Sequence, residues 1–142
     1  MLLEEHIDNI FDGDSLLFLG AGFSRNTKNS NKEALPLTRD LSNLLQKLSG
    51  IEAESIDENL NVQQTSEYFI EKNGSEELVR LLKKQFTVTT SENWQNNLAS
   101  LKWKRVYTTN YDNVFEVASN VAKVHRYAVD ITNKDSINFG ED

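Results

Sequence analysis

Apolar positions recur along the chain with two different periods, and these periods predict alternating helices and strands. The apolar residues between Leu2 and Phe11 recur at helical spacing and predict an amphipathic helix over residues 2–11. Residues 15–19 form a short apolar run between turn signals, which is typical of a buried parallel strand. Residues 105–109 repeat this pattern and predict a second strand.

Helical patterns fill most of the remaining chain, over residues 37–48, 61–72, 75–86, 91–101 and 113–118. The polar stretch 25–32 is predicted to be a mobile loop, and residues 123–129 are predicted to form a third strand. Strands separated by helices favour a parallel sheet covered by helices. We therefore expect an α/β fold with a Rossmann-like parallel sheet in one domain spanning 1–142, with residues 37–101 as a helical insertion.

Length, composition and the C-terminal residues bear on whether the domain is complete. The 142 residues fit one domain, but the hydrophobic fraction of 38% is a little low for a self-contained one. No helix stop or closing strand is recognisable near Asp142. We therefore expect the fold to be incomplete at the C-terminus and to belong to a larger protein.

Charge and residue usage exclude several function classes. A net charge of −7 disfavours a nucleic-acid partner, because the chain would repel phosphate backbones. The absence of cysteine excludes disulfides and thiolate metal sites, and no cluster of His, Asp and Glu has metal-ligand spacing, so no metal is expected. No apolar run approaches the roughly 20 residues that span a membrane. With acids near the N-terminus where a signal peptide carries bases, we expect a cytoplasmic protein without a membrane partner.

The end of the first predicted strand carries a glycine motif, Gly20-Ala21-Gly22. Glycine lets the backbone turn sharply and lets a ligand approach without a Cβ in the way. In dinucleotide folds such turns bind phosphates beyond the carboxyl ends of the strands, and here Ser24 would add a hydroxyl and Arg25 a cation. Because Arg25 stands where a G-x-G-x-x-G motif has its third glycine, a tight turn without a ligand is an equal alternative.

The end of the second predicted strand is unusually polar. If the two strands are parallel, Asn110 and Asp112 emerge at the same sheet edge as the glycine motif. Asparagine offers a donor and an acceptor together, which suits ribose hydroxyls or an ordered water. The alternative is a plain turn in which Asp112 caps the following helix.

Taken together, the two strand ends resemble the signature segments of the sirtuin-like superfamily. Sirtuins carry a Gly-Ala-Gly-x-Ser loop, matched here by residues 20–24, and a Thr-Gln-Asn-Ile-Asp loop, matched by Thr108-Thr109-Asn110-Tyr111-Asp112. The Thr-Thr-Asn-Tyr-Asp form is closer to sirtuin-like domains at the N-termini of bacterial anti-phage defence proteins. Those domains hydrolyse NAD⁺ to nicotinamide and ADP-ribose and so deplete NAD⁺ during infection.

The resemblance implies NAD⁺ as substrate, with no prosthetic group, and a homo-oligomer or a larger defence complex as the working form. It implies that Asn110 orients the attacking water or the nicotinamide ribose. It also implies that the pyrophosphate and ribose are held by Gly20, Ala21, Gly22, Phe23 and Ser24 and that Asp112 binds the dinucleotide. Arg25 and Thr109, which lie beside these residues, are further candidates for NAD⁺ binding.

The chain also departs from the sirtuin pattern. The four-cysteine zinc module of the deacetylases is absent, which disfavours that activity. The catalytic histidine of the family is usually followed by glycine, whereas His125 is followed by Arg126. His125 is the candidate base, and a histidine beyond Asp142 is its alternative. The alternatives to NAD⁺ hydrolysis are a non-catalytic module that senses NAD⁺ or ADP-ribose and a structural assembly domain.

Overall fold

The computed structural model describes residues 2–129, which form a mixed α/β structure. Two strands, β1 (Leu16–Leu19) and β2 (Arg105–Thr108), pair in parallel as a two-stranded sheet. Six helices accompany them: α1 (Leu3–Asp12), α2 (Thr38–Leu48), α3 (Val62–Asn73), α4 (Ser75–Phe86), α5 (Asn93–Ser100) and α6 (Val114–Val121). The α/β class is confirmed, but two strands are too few to establish Rossmann topology.

Local signals explain where the helices begin and end. At the start of α3, the Asn61 side chain accepts the Gln64 N–H at 2.9 Å and the Gln64 side chain accepts the Asn61 N–H at 3.1 Å. This reciprocal capping satisfies two N–H groups that the helix cannot pair. Gly74, with φ of 91°, separates α3 from α4 because few other residues adopt that conformation cheaply.

The apolar core is divided into two clusters. One lies against the sheet and contains Leu19, Phe23, Val88 and Val114. The other lies among α2, α3 and α4 and contains Leu41, Leu45, Phe69 and Phe86. The helices α2–α4 thus have a core of their own, whereas α5 packs against α6 beside the first cluster.

One face of the sheet is open in the described part of the chain. Phe18 is 73% exposed and stacks on Tyr107 with ring centroids 5.1 Å apart. Leu16 points to the same face, because side chains alternate along a strand, and it is also exposed. The helix α1 has an apolar face but no buried residue. Within residues 2–129, no helix is both long enough and apolar enough to cross a membrane.

The prediction of a third strand over residues 123–129 is wrong. Residues 124–129 have no strand conformation, and α6 ends just before them in a turn at Lys123, where φ is 58°. The Val124 N–H donates to the Ser119 carbonyl at 2.9 Å and closes that turn. Arg126 then binds the carbonyls of Leu101 and Trp103 through its side chain, so the segment is held without a backbone ladder.

The polar stretch 25–32, predicted to be a mobile loop, is joined to α4 by a side-chain hydrogen bond. Asn29 is buried, and its side chain donates to the Gln85 carbonyl at 3.2 Å. The same side chain accepts the N–H groups of Asn31 and Glu33, each at 3.0 Å. The Asn29 side chain thus satisfies backbone groups that in an exposed loop would form hydrogen bonds with water.

Candidate functional site

The parallel register brings the two predicted site segments to one edge of the sheet. Leu19, the last residue of β1, lies opposite Thr108, the last residue of β2. The glycine turn (residues 20–24) and the Asn110 loop (residues 109–112) therefore leave the sheet side by side. Ligands of parallel α/β sheets bind beyond this carboxyl edge.

The Asn110 side chain joins the two segments directly. Its amide nitrogen donates to the Gly20 carbonyl at 2.9 Å and to the Ser24 hydroxyl oxygen at 3.3 Å. The Asn110 backbone N–H donates to the Thr108 hydroxyl oxygen at 3.0 Å, which fixes the bend of the loop. Both amide hydrogens thus point at the glycine turn. The amide oxygen has no hydrogen-bond partner within residues 2–129 and can accept from a ribose hydroxyl or a water.

The glycine turn is a short 3₁₀ turn, Ala21–Ser24, rather than the start of a regular helix. The Phe23 N–H donates to the Gly20 carbonyl at 3.0 Å and closes it. The Phe23 side chain is buried and meets the rings of Trp94 and Phe115 edge-on, at 5.4 and 5.7 Å. It therefore anchors the turn in the core, which leaves the backbone of the turn as the part exposed to a ligand.

The two glycines of the turn are not required by its conformation or its packing. Gly20 has φ of −114°, an extended conformation that any residue adopts. A Cβ built on Gly20 or Gly22 meets no atom within 4 Å. Glycines that a fold does not need leave open space beside the backbone, which is the space that a close-approaching phosphate requires.

The other predicted residues of the site have simpler placements. The Asp112 carboxylate accepts the N–H of Val114, the first residue of α6, at 3.0 Å, whereas the N-cap position itself is Asn113 and not, as the alternative interpretation expected, Asp112. Thr109 and Arg25 are exposed beside the two segments, and Arg25 forms no ion pair with any residue from 2 to 129. Among those same residues, no group of His, Asp and Glu side chains has the arrangement of a metal site.

The structure does not bring His125 together with Asn110. His125 is exposed, and the side chain of the adjacent Arg126 is held by the carbonyls of Leu101 and Trp103, which precede β2. Asn110 follows β2, so about 13 Å of strand separates the two ends. The assignment of His125 as the base stays a prediction without geometric support.

Sequence reasoning missed two amides that support the site. The Asn113 side chain accepts the Val88 N–H at 2.7 Å and donates to the Val88 carbonyl at 3.2 Å, which joins the start of α6 to the segment that follows α4. Gln95 is fully buried and donates to the Phe23 carbonyl at 2.7 Å. The only sequence signal for Gln95 was its position three residues after Glu92, a capping pattern that predicts no tertiary contact.

Two open clefts lie elsewhere on the surface. One, of about 280 Å³, is lined by residues of α2, α3 and α4. The other, of about 250 Å³, lies between α4 and Tyr111 and includes Asn113. The glycine turn lines neither of them.

Comparison of the chain with protein-family models, curated proteins and solved structures found no match. The assignment of function therefore rests on the residues of the two segments and on their geometry.

Proposed function

We propose that this chain binds NAD⁺ across the glycine turn and the Asn110 loop and, in the intact protein, hydrolyses the nicotinamide–ribose bond. The observation that carries the proposal is the hydrogen bond of 2.9 Å from the Asn110 side chain to the Gly20 carbonyl, across 90 positions of sequence. It joins the two segments that resemble the sirtuin-like signatures. A role in anti-phage defence by NAD⁺ depletion, within a homo-oligomer or a larger complex, follows from that resemblance.

The glycine turn suits the pyrophosphate of the dinucleotide. Ala21 and Gly22 open the 3₁₀ turn, so their N–H groups have no acceptor inside it. Backbone donors of this kind bind phosphate oxygens, and the space beside Gly20 and Gly22 lets the phosphate approach. Arg25, exposed next to the turn, supplies a cation at its rim.

Asn110 suits the nicotinamide ribose. Its amide nitrogen is committed to Gly20 and Ser24, so its amide oxygen faces outward with a fixed orientation. An acceptor held in this way orients a water or a ribose hydroxyl without itself titrating. In the reaction, the water oxygen bonds to the ribose carbon, nicotinamide leaves with the electron pair of the broken C–N bond, and the water gives its proton to a base.

The placement of His125 favours a second candidate function. With His125 exposed and its neighbour held at the start of β2, the described site contains an orienting amide but no base close to it. A site that binds NAD⁺ or ADP-ribose without cleaving it would need only the contacts that are present. Such a module would report nucleotide levels to an attached domain.

Release of nicotinamide from NAD⁺ by the longest native form of the protein tests the proposal. Asn110→Ala should abolish release, whereas the control Asn73→Ala should retain it. The Asn73 side chain also donates to a backbone carbonyl, that of Phe69 at 3.2 Å, but it lies at the end of α3. Calorimetric binding of NAD⁺ without turnover would favour the sensor. Failure to bind NAD⁺ or ADP-ribose would exclude both functions and leave the assembly domain.

A further inference from the structure

A single buried glutamine forms hydrogen bonds with the glycine turn and with the residues that follow it. Gln95 lies in the first turn of α5 and is 0% exposed. Its amide nitrogen donates to the Phe23 carbonyl at 2.7 Å and to the Thr27 hydroxyl oxygen at 3.1 Å. Its amide oxygen accepts the Glu92 N–H at 2.7 Å, so every hydrogen-bonding atom of the group has a partner and only one orientation is possible.

The two acceptors of Gln95 lie on either side of Ser24 in the sequence. Ser24 is buried, and its hydroxyl oxygen receives the second hydrogen bond of Asn110 at 3.3 Å. The Thr27 N–H donates to the Ser24 carbonyl at 3.1 Å, which joins these positions into one hydrogen-bonded unit. Gln95 therefore holds Phe23 and Thr27 in place, while Asn110 contacts Gly20 and Ser24.

We infer that Gln95 is the positioning residue of this site: it holds the glycine turn in the geometry in which Ser24 and Gly20 receive Asn110. The consequence for nucleotide binding rests on the proposed function, whereas the positioning of the turn does not. Removing the amide leaves the Phe23 carbonyl without its buried donor. The turn is then no longer held in a fixed position relative to the Asn110 loop.

The chain offers a matched control in Gln46. This glutamine is 1% exposed, and its amide clamps the backbone of Asp57, accepting its N–H and donating to its carbonyl, each at 2.9 Å. It has the same residue type, the same burial and the same kind of backbone contact, but it belongs to α2 and its contacts lie outside the glycine turn. Replacing either glutamine should lower the stability of the fold, so an effect on the glycine turn that appears only in the Gln95 variant is not due to general destabilisation.

Amide hydrogen exchange measured by NMR on the nucleotide-free chain tests the positioning. Gln95→Met should accelerate exchange of the Phe23 and Arg25 amides by roughly tenfold, the scale of one lost buried hydrogen bond. Gln46→Met should change those two amides by less than about twofold. Wild-type exchange in Gln95→Met, or equal acceleration by both variants, would overturn the inference.

A milder variant keeps the test available if Gln95→Met does not fold. Thr27→Val removes one acceptor of Gln95 and keeps the shape of the side chain, so exchange at Phe23 should rise by a smaller factor. Unchanged exchange in this variant would count against the inference.

The role in nucleotide binding is read from NAD⁺ affinity, expressed per folded molecule. Gln95→Met should raise the Kd by about tenfold and Gln46→Met by less than twofold. Accelerated exchange at the turn with unchanged affinity would show that Gln95 positions the turn but does not serve the nucleotide. If the wild-type chain binds no NAD⁺, the proposed function fails, while the exchange result still decides the positioning.

Discussion

Replacing Gly22 by alanine separates a ligand-binding role of the glycine turn from a purely structural one. Gly22 lies inside the 3₁₀ turn, and a Cβ at this position meets no atom within 4 Å. The fold can therefore accept alanine. Alanine would, however, interfere with a bound phosphate, because the added methyl group occupies the space through which the phosphate would reach the backbone.

The expected changes have opposite signs for stability and for binding. Alanine at a compatible glycine position stabilises by about 0.4–1 kcal/mol, since it restricts the unfolded chain. For a chain of this size we expect the Tm to rise by roughly 2–5 °C. The NAD⁺ affinity should fall by at least about tenfold, which corresponds to about 1.4 kcal/mol.

Thermal unfolding and calorimetric titration with NAD⁺ measure the two effects, and Gly50→Ala is the control. Gly50 follows α2 and has φ of 90°, a conformation that is unfavourable for alanine. We therefore expect Gly50→Ala to lower the stability by about 1–2 kcal/mol and to leave the NAD⁺ affinity unchanged. Wild-type affinity in Gly22→Ala would refute the reasoning, and so would a large loss of stability in that variant.

The remaining predictions concern the start of α6, the candidate base and the core. Asp112→Ala should lower the stability by about 1 kcal/mol because the Val114 N–H at the start of α6 loses its acceptor, while Asp112→Ser should restore the stability but not the NAD⁺ affinity; equal affinity in Asp112→Ser and wild type would leave Asp112 with a structural role only. His125→Ala should leave nicotinamide release unchanged, and loss of release would place His125 in the site after all. Leu45→Ala should lower the free energy of unfolding in urea by about 2–5 kcal/mol, because Leu45 is fully buried among α2–α4; a change below about 1 kcal/mol would contradict the second core.

Much of the fold could be predicted because its signals are local. Helix ends such as the one at Gly74 follow from backbone preferences that a few neighbouring residues determine. The strand over 123–129 failed because its alternating pattern is also local, whereas the docking of Arg126 onto Leu101 and Trp103 is tertiary. The contact of α5 with the glycine turn could not be predicted either, since the spacing of apolar residues in α5 does not identify the segment against which the helix packs.

The candidate site likewise contains residues that could be predicted from the sequence and residues that could not. Asn110 could be predicted because the carboxyl ends of parallel strands meet at one edge, and the register of Leu19 with Thr108 places it there. Gln95 could not, because a buried amide is recognised by the groups it satisfies, and these lie 72 and 68 positions away. Asp112 matched both of its interpretations in sequence, and only the structure showed the contact with Val114.

The central claim is that two segments distant in sequence form one nucleotide site, and NMR titration of the chain with NAD⁺ tests it most directly. The account predicts that amide signals in residues 20–24 and 109–112 shift together, with the same Kd. It also predicts that Asn110→Ala removes both sets of shifts. Shifts confined to one segment, or concentrated at the cleft among α2–α4, would contradict it.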